Sequence, residues 1–233
     1  VTDAALADSF VTVFDGAGEE LWTQRRGARA ADEATSVAFG ADGVVYVAGR
    51  SKSSMPAAAA LGGWDGYLQG FTATQAHSLA PFTAVATSIS QFGTAGDDSV
   101  KAMTVEGSSI YTAGVEDGRV VVRHYTPGDG GAPTLAATRD LGAANGDVTG
   151  IAVSGGRVIL SGTTRNAALD IGTVNTAHSG GADAWVAALE ADLSVSAADR
   201  LTYVGGAGDD SAADVKVHEG KVRLTGLADR PTD

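Results

Sequence analysis

The stretch "GGAGDDSAADVKV" (residues 205–217) recurs upstream as "GTAGDDSVKAMTV" (residues 93–105). Asp98 and Asp210 stand 112 residues apart, and so do Gly114 and Gly226. A turn written twice at this distance is either a metal site used twice or the punctuation of a repeated structural unit. Calcium-binding repeats work because consecutive turns stack and surround each ion with about six to eight oxygens. Copies this far apart do not stack. The aspartates are therefore expected to cap backbone N–H groups in a turn between the second and third strands of a unit. The second reading is a local acidic site, with Asp97, Asp98, Asp209 and Asp210 as calcium ligands completed by carbonyls or water.

Outward from these turns the chain reads as four units of four short segments. They span residues 8–50, 65–115, 118–164 and 183–228, and the first supplies "DSFVTVFD", "ELWTQRRG", "ATSVAFG" and "VVYVAGR". Apolar residues alternate within segments, as at Val45 and Val47 or Val215 and Val217, which is the period of a strand and not of a helix. The segments are joined by "GADG", "EGSS", "SGG" and "HEG", where glycine supplies the positive φ of a hairpin turn. Four-stranded antiparallel meanders repeated at this length predict an all-β fold, a β-propeller of four-stranded blades.

The letters of the fourth unit, "DAWVAAL", "LTYVGGAGDDSAADVKV" and "KVRLTG", resemble the bacterial β-propeller repeat family known as SBBP. That family combines an Asp-x-aromatic-Val strand, a Gly-Gly-x-Gly-Asp-Asp turn and a closing Val-Tyr-Val-x-Gly strand. The likeness extends over nearly the whole chain and is weakest in the third unit, where "GAANGD" replaces the acidic turn. It implies a propeller found in large secreted or surface proteins, without one activity and without catalytic residues to carry over.

The glycines that close the units, Gly49, Gly114, Gly162 and Gly226, are spaced by 65, 48 and 64 residues. Long and short intervals alternate because residues 50–64 and 163–182 are long connections and residues 115–117 a minimal one. The chain is thus a two-unit module written twice, and its last residues stand in the phase of its first. Either four blades close on themselves or the four belong to a larger propeller.

Composition narrows the function. The chain has 233 residues, 28 acidic against 16 basic, for a formal net charge of −12. An acidic chain without a Lys/Arg stripe repels polyphosphate, so nucleic acid is not expected as a partner. There is no run of about 18 apolar residues to cross a bilayer, so no membrane insertion is expected. The absence of cysteine removes disulfides, thiolate metal sites and a cysteine nucleophile. His77, His124, His178 and His218 show no ligand spacing, and neither a Gly-x-Ser-x-Gly elbow nor a phosphate loop is present. No catalytic residue and no cofactor are therefore assigned, calcium at the acidic turns excepted.

Strand parity places both "AGDDS" turns on one face of the disc with both long connections. That face varies most from unit to unit and carries Met55, Trp64, Asn166, Asn175 and His178 as candidate ligand contacts. The expectation is a non-enzymatic extracellular module of a larger bacterial surface or secreted protein, serving protein or glycan recognition at the loop face or rigid scaffolding. Two rivals stand beside it: a polysaccharide-acting propeller enzyme with carboxylates in the central channel, and a purely structural unit whose ends pair with other copies or flanking domains.

Overall fold

The computed structural model describes residues 7–26, 30–41, 43–167 and 169–229. Residues 27–29 of the basic cluster "RRGAR" lie outside the described residues. The fold is all-β, and its one helical element among the described residues is a 3-10 turn at Asp129–Gly131.

Three sheets carry the bulk of the chain. The first is an antiparallel meander of β3 (Asp32–Phe39), β4 (Val45–Ser51), β5 (Asp65–Gln75) and β6 (Phe82–Phe92). The second repeats it with β7 (Asp98–Glu106), β8 (Ser109–Glu116), β9 (Arg119–Pro127) and β10 (Pro133–Ala143). The third runs β11 (Gly146–Ser154), β12 (Arg157–Thr164), β14 (Asp183–Glu190) and β15 (Arg200–Val204), with β13 (Thr173–Thr176) added in parallel at the β15 edge. Two hairpins flank them: β1 (Ser9–Phe14) with β2 (Glu20–Arg26), and β16 (Ser211–His218) with β17 (Lys221–Leu227).

Among the described residues each sequence segment falls on a strand and β13 is an additional one, but the sheets are cut two strands away from the sequence units. Each complete sheet starts at the third segment of one unit and ends at the second segment of the next. Of the two arrangements left open by the sequence, a ring closed within this chain is not found among the described residues. Among these residues β1–β2 and β16–β17 are separate two-stranded sheets and form no closed propeller ring.

The sheets stack side by side in chain order, with their first strands adjacent: β3 against β7, β7 against β11, β11 against β16. Each complete sheet is thus covered on both faces, which explains why its middle strands read as continuous apolar runs. Val11, Trp22, Val47, Tyr67 and Phe71 fill the layer between the first hairpin and the first sheet. Tyr46, Leu68, Val100, Ile110 and Tyr125 fill the next. Tyr111, Val122, Leu141, Leu160, Trp185 and Leu201 fill the layer between the second and third sheets.

One local device repeats at the start of four of the five sheets. The first strand carries a β-bulge, seen as a register shift at Ala34/Ser36, Val100/Ala102, Val148/Gly150 and Ala212/Asp214. Opposite each bulge stands the glycine of the second strand. A Cβ on Gly49, Gly114 or Gly226 would lie 1.9 Å from the carbonyl oxygen of Glu33, Ser99 or Ser211, and one on Gly162 would lie 2.3 Å from that of Asp147. Backbone atoms do not yield as side-chain ends do, so only glycine permits this approach. Gly114→Ala is therefore expected to destabilise by about 2 kcal/mol or more. Gly206→Ala, whose added Cβ meets nothing within 4 Å, should cost less than about 0.5 kcal/mol. Urea unfolding of the two variants checks the contrast.

Candidate functional site at the acidic corners

The acidic turns lie between the second and third segments of their units as expected, but these joints are crossovers between sheets and not turns within one blade. Residues 93–97 lead from β6 to β7, and residues 205–210 lead from β15 to β16. At the first corner Asp98 is buried, and its Oδ2 accepts the Thr94 N–H at 2.5 Å while Oδ1 accepts the Asp117 N–H at 2.9 Å. The second corner repeats these two backbone bonds: Asp210 Oδ2 accepts Gly206 N–H at 2.7 Å and Oδ1 accepts Asp229 N–H at 3.0 Å. One carboxylate thus closes its own crossover and anchors the turn leaving the second strand.

The neighbouring aspartate reaches the other way. Asp97 Oδ1 accepts the Trp64 N–H at 3.0 Å, and Asp209 Oδ1 accepts the Ala182 N–H at 2.9 Å. Backbone bonds reinforce both contacts, Asp98 N–H to Trp64 O and Asp210 N–H to Ala182 O, each at 2.6 Å. The long connections therefore dock on the acidic turns, as strand parity required. In the third sheet Gly146 takes the place of the acid, and the Thr164 hydroxyl donates instead to Ala144 O at 2.5 Å.

In each of the four aspartates proposed as calcium ligands at least one carboxylate oxygen accepts a backbone N–H. Among the described residues no group of three or more His, Asp or Glu side chains is placed to hold a metal ion. Asp209 is further gripped by Arg165, whose two terminal nitrogens donate to its two oxygens at 2.9 and 2.6 Å. These guanidinium bonds, helped by the Ala182 N–H, hold the Asp209 carboxyl below the usual carboxylate range.

Beside the first corner lies a cleft of about 150 Å³ lined by Arg50, Asp97, Asp98, Lys101, Gly146 and Asp147, among others. It spans all three sheets. Lys101 on β7 pairs with Asp147 on β11 at 2.8 Å, and Arg50 on β4 pairs with Glu33 on β3 at 2.8 Å. Trp64 flanks the cleft: the Arg50 guanidinium carbon lies 4.2 Å and the Lys52 ammonium 4.9 Å from its ring centroid. Cation–π contact of this kind holds the Arg50 head in place.

The five proposed ligand contacts separate in the structure. Trp64 is half-buried beneath the two cations. Met55 is buried in the layer over β4 and β5, its N–H held by Gln91 Oε1 at 3.0 Å, so it belongs to the core. His178 packs edge-on against Tyr203 at 5.4 Å and its Nε2 donates to Thr164 O at 3.3 Å. Asn166 bonds Ala143 O at 3.3 Å. Asn175, exposed on β13, bonds the Thr202 hydroxyl at 3.3 Å. Of the five, Trp64 alone bears on the cleft. Arg50, Lys101 and Asp147 were missed because they stand on three strands with no shared motif.

A channel carboxylate acting as the acid of glycoside hydrolysis must keep its proton, which requires an apolar pocket poor in donors. The cleft lacks that arrangement: Asp98 accepts backbone N–H groups on both oxygens, and Asp147 faces Lys101.

No family model matches the chain. The chain is similar to the regulatory protein FlaEY of Caulobacter vibrioides, with 37% identity over 260 aligned positions that take in 99% of this chain and 27% of that protein. The chain thus spans about a quarter of the length of the curated relative it matches. A relative named for regulation overturns the expectation of an extracellular recognition or scaffolding module and, with it, the secreted and cell-surface description.

Two outcomes follow from the corner geometry. Asp98→Ala leaves two backbone N–H groups of a buried corner without acceptors and should destabilise by roughly 2–4 kcal/mol in urea unfolding. Arg165→Gln should raise the Asp209 pKa toward the ordinary value, read by carboxyl NMR titration. Because the folded pKa is the depressed one, any stabilisation from this exposed pair is present above the unfolded carboxylate pKa. It is lost as pH falls through the folded value, so variant and parent should converge in stability at low pH.

Proposed function

We propose that this chain is a regulatory module built as an arc of propeller-like blades, which acts by binding at the cleft beside the first acidic corner. The observation that carries this reading is the 37% identity, along 99% of the chain, to a protein named for regulation. Regulation by a rigid β module requires a surface whose groups are held in place before a partner arrives. The cleft meets that need, since Arg50 is fixed by Glu33 and Trp64, and Lys101 by Asp147. Its charges of both signs suit a polar segment of a protein partner. The propeller part of the proposal draws support from the repeated four-stranded meanders, from first strands that adjoin in succession, and from the likeness of the turn and strand letters to SBBP repeats.

The test has two arms in cells that carry the whole protein. Deleting the segment that corresponds to this chain should change the abundance of a defined set of other proteins, measured by quantitative proteomics. An unaltered profile would overturn the regulatory role. The double variant Arg50→Glu, Lys101→Glu should reproduce that change with the protein's own level unaltered. A parental profile from the double variant, against a changed one from the deletion, would remove the cleft as the site.

A further inference from the structure

The two acidic corners present one carboxylate in the same way. At the first, the Gly63 N–H donates to Gly96 O at 3.0 Å, and at the second the Gly181 N–H donates to Gly208 O at 3.1 Å. A Cβ on Gly63 would lie 2.3 Å from Asp97 Oδ1, and one on Gly181 would lie 2.2 Å from Asp209 Oδ1. Together with the bonds from the Trp64 and Ala182 N–H groups, these contacts set Asp97 and Asp209 at equivalent places on their corners. Both residues are exposed.

What reaches the two carboxylates differs. Lys52 and Arg165 each stand three residues beyond the glycine of a second strand, Gly49 and Gly162. Arg165 lays its guanidinium across both Asp209 oxygens. Lys52 instead holds its ammonium over the ring of Trp64, which stands where the second corner has Ala182. Among the described residues Asp97 makes no ion pair. In the cleft that Asp97 lines, Arg50 is turned to Glu33 and Lys101 to Asp147, and Asp98 is taken up by backbone N–H groups. Asp97 keeps an exposed carboxylate there without a countercharge.

We infer that the cleft takes an arginine side chain of a partner protein, whose guanidinium lies across the two Asp97 oxygens as that of Arg165 lies across Asp209. The inference rests on the reading of the cleft as the binding site and gives that site its chemistry. The second corner is the template: an aspartate in this setting keeps its backbone N–H bond while it accepts a planar fork of donors at 2.9 and 2.6 Å. A guanidinium matches the two oxygens of a carboxylate with two parallel bonds, whereas an ammonium is a point donor. The first corner offers the same acceptor, and the chain's own cation at that place is drawn aside by Trp64.

The test is an NMR titration of the isotope-labelled chain with the peptide acetyl-Gly-Arg-Gly-amide. The Trp64 amide, whose N–H Asp97 accepts, should shift and saturate in the millimolar range that one exposed ion pair gives. The matching lysine peptide should bind about fivefold more weakly or worse. Asp97→Asn keeps an acceptor for the Trp64 N–H, removes the charge and should weaken binding about tenfold. Arg165→Gln is the control: it opens the second corner, so the Ala182 amide, silent in the parent, should respond to the arginine peptide. A silent Trp64 amide in the parent overturns the inference, most directly where Ala182 responds in the variant, and so does equal binding of the two peptides. Free L-arginine that binds about tenfold more tightly than the peptide makes the ligand a small molecule and overturns the partner-protein source. The regulatory reading fails separately. A silent Trp64 amide with a changed protein profile from Arg50→Glu, Lys101→Glu removes arginine and keeps the regulatory site, whereas peptide binding with a parental profile keeps the arginine chemistry and removes the regulatory site.

Discussion

Everything in this architecture depends on the backbone of one strand approaching the bulged backbone of its neighbour at each glycine. A bulge adds a residue to the first strand and increases its local twist. The second strand follows that twist by bringing a residue without a Cβ over the bulged carbonyl. Four copies of the contact give four sheet beginnings of the same shape, and sheets of the same shape stack with their first strands together. The apolar layers between sheets then fill a space whose dimensions the backbone has already set.

Acidic corners make the second level of organisation. A crossover between sheets exposes backbone N–H groups that no ladder satisfies, and burial would leave them costly. Asp98 and Asp210 answer this with carboxylates that accept the crossover N–H groups and the turn beyond the second strand. Asp97 and Asp209 extend the same solution to the long connections. The carboxylates that look like a metal loop in sequence thus accept the protein's own amides. The cleft borders the first corner, where these bonds keep its walls from shifting.

Much of this was legible in the letters, and the failures have physical causes. Alternating apolar residues and glycine turns are local signals, so the strands and their grouping by four were readable. The phase of the sheets was not, because "GTAG" between β6 and β7 crosses from sheet to sheet whereas the much longer stretch 50–64 merely returns within one. Loop length carries no information about which side of a sheet boundary a loop lies on. Met55 sits in the polar run "SKSSMPA" and reads as exposed, yet Gln91, 36 residues later, pins its amide and turns the side chain inward. The cleft had no signal at all, since Arg50, Lys101 and Asp147 are gathered only by the stacking of sheets.

The matched corners also bear on how such a chain grows. The span of 112 residues from Asp98 to Asp210 starts and ends at the same kind of joint, with a carboxylate meeting amides at equivalent positions. A duplication or loss of one span by recombination therefore leaves no mismatched seam, wherever within the span the exchange occurs. Chains of this design can change length in steps of two sheets while every surviving junction keeps its chemistry, so size is the trait that inheritance alters most easily.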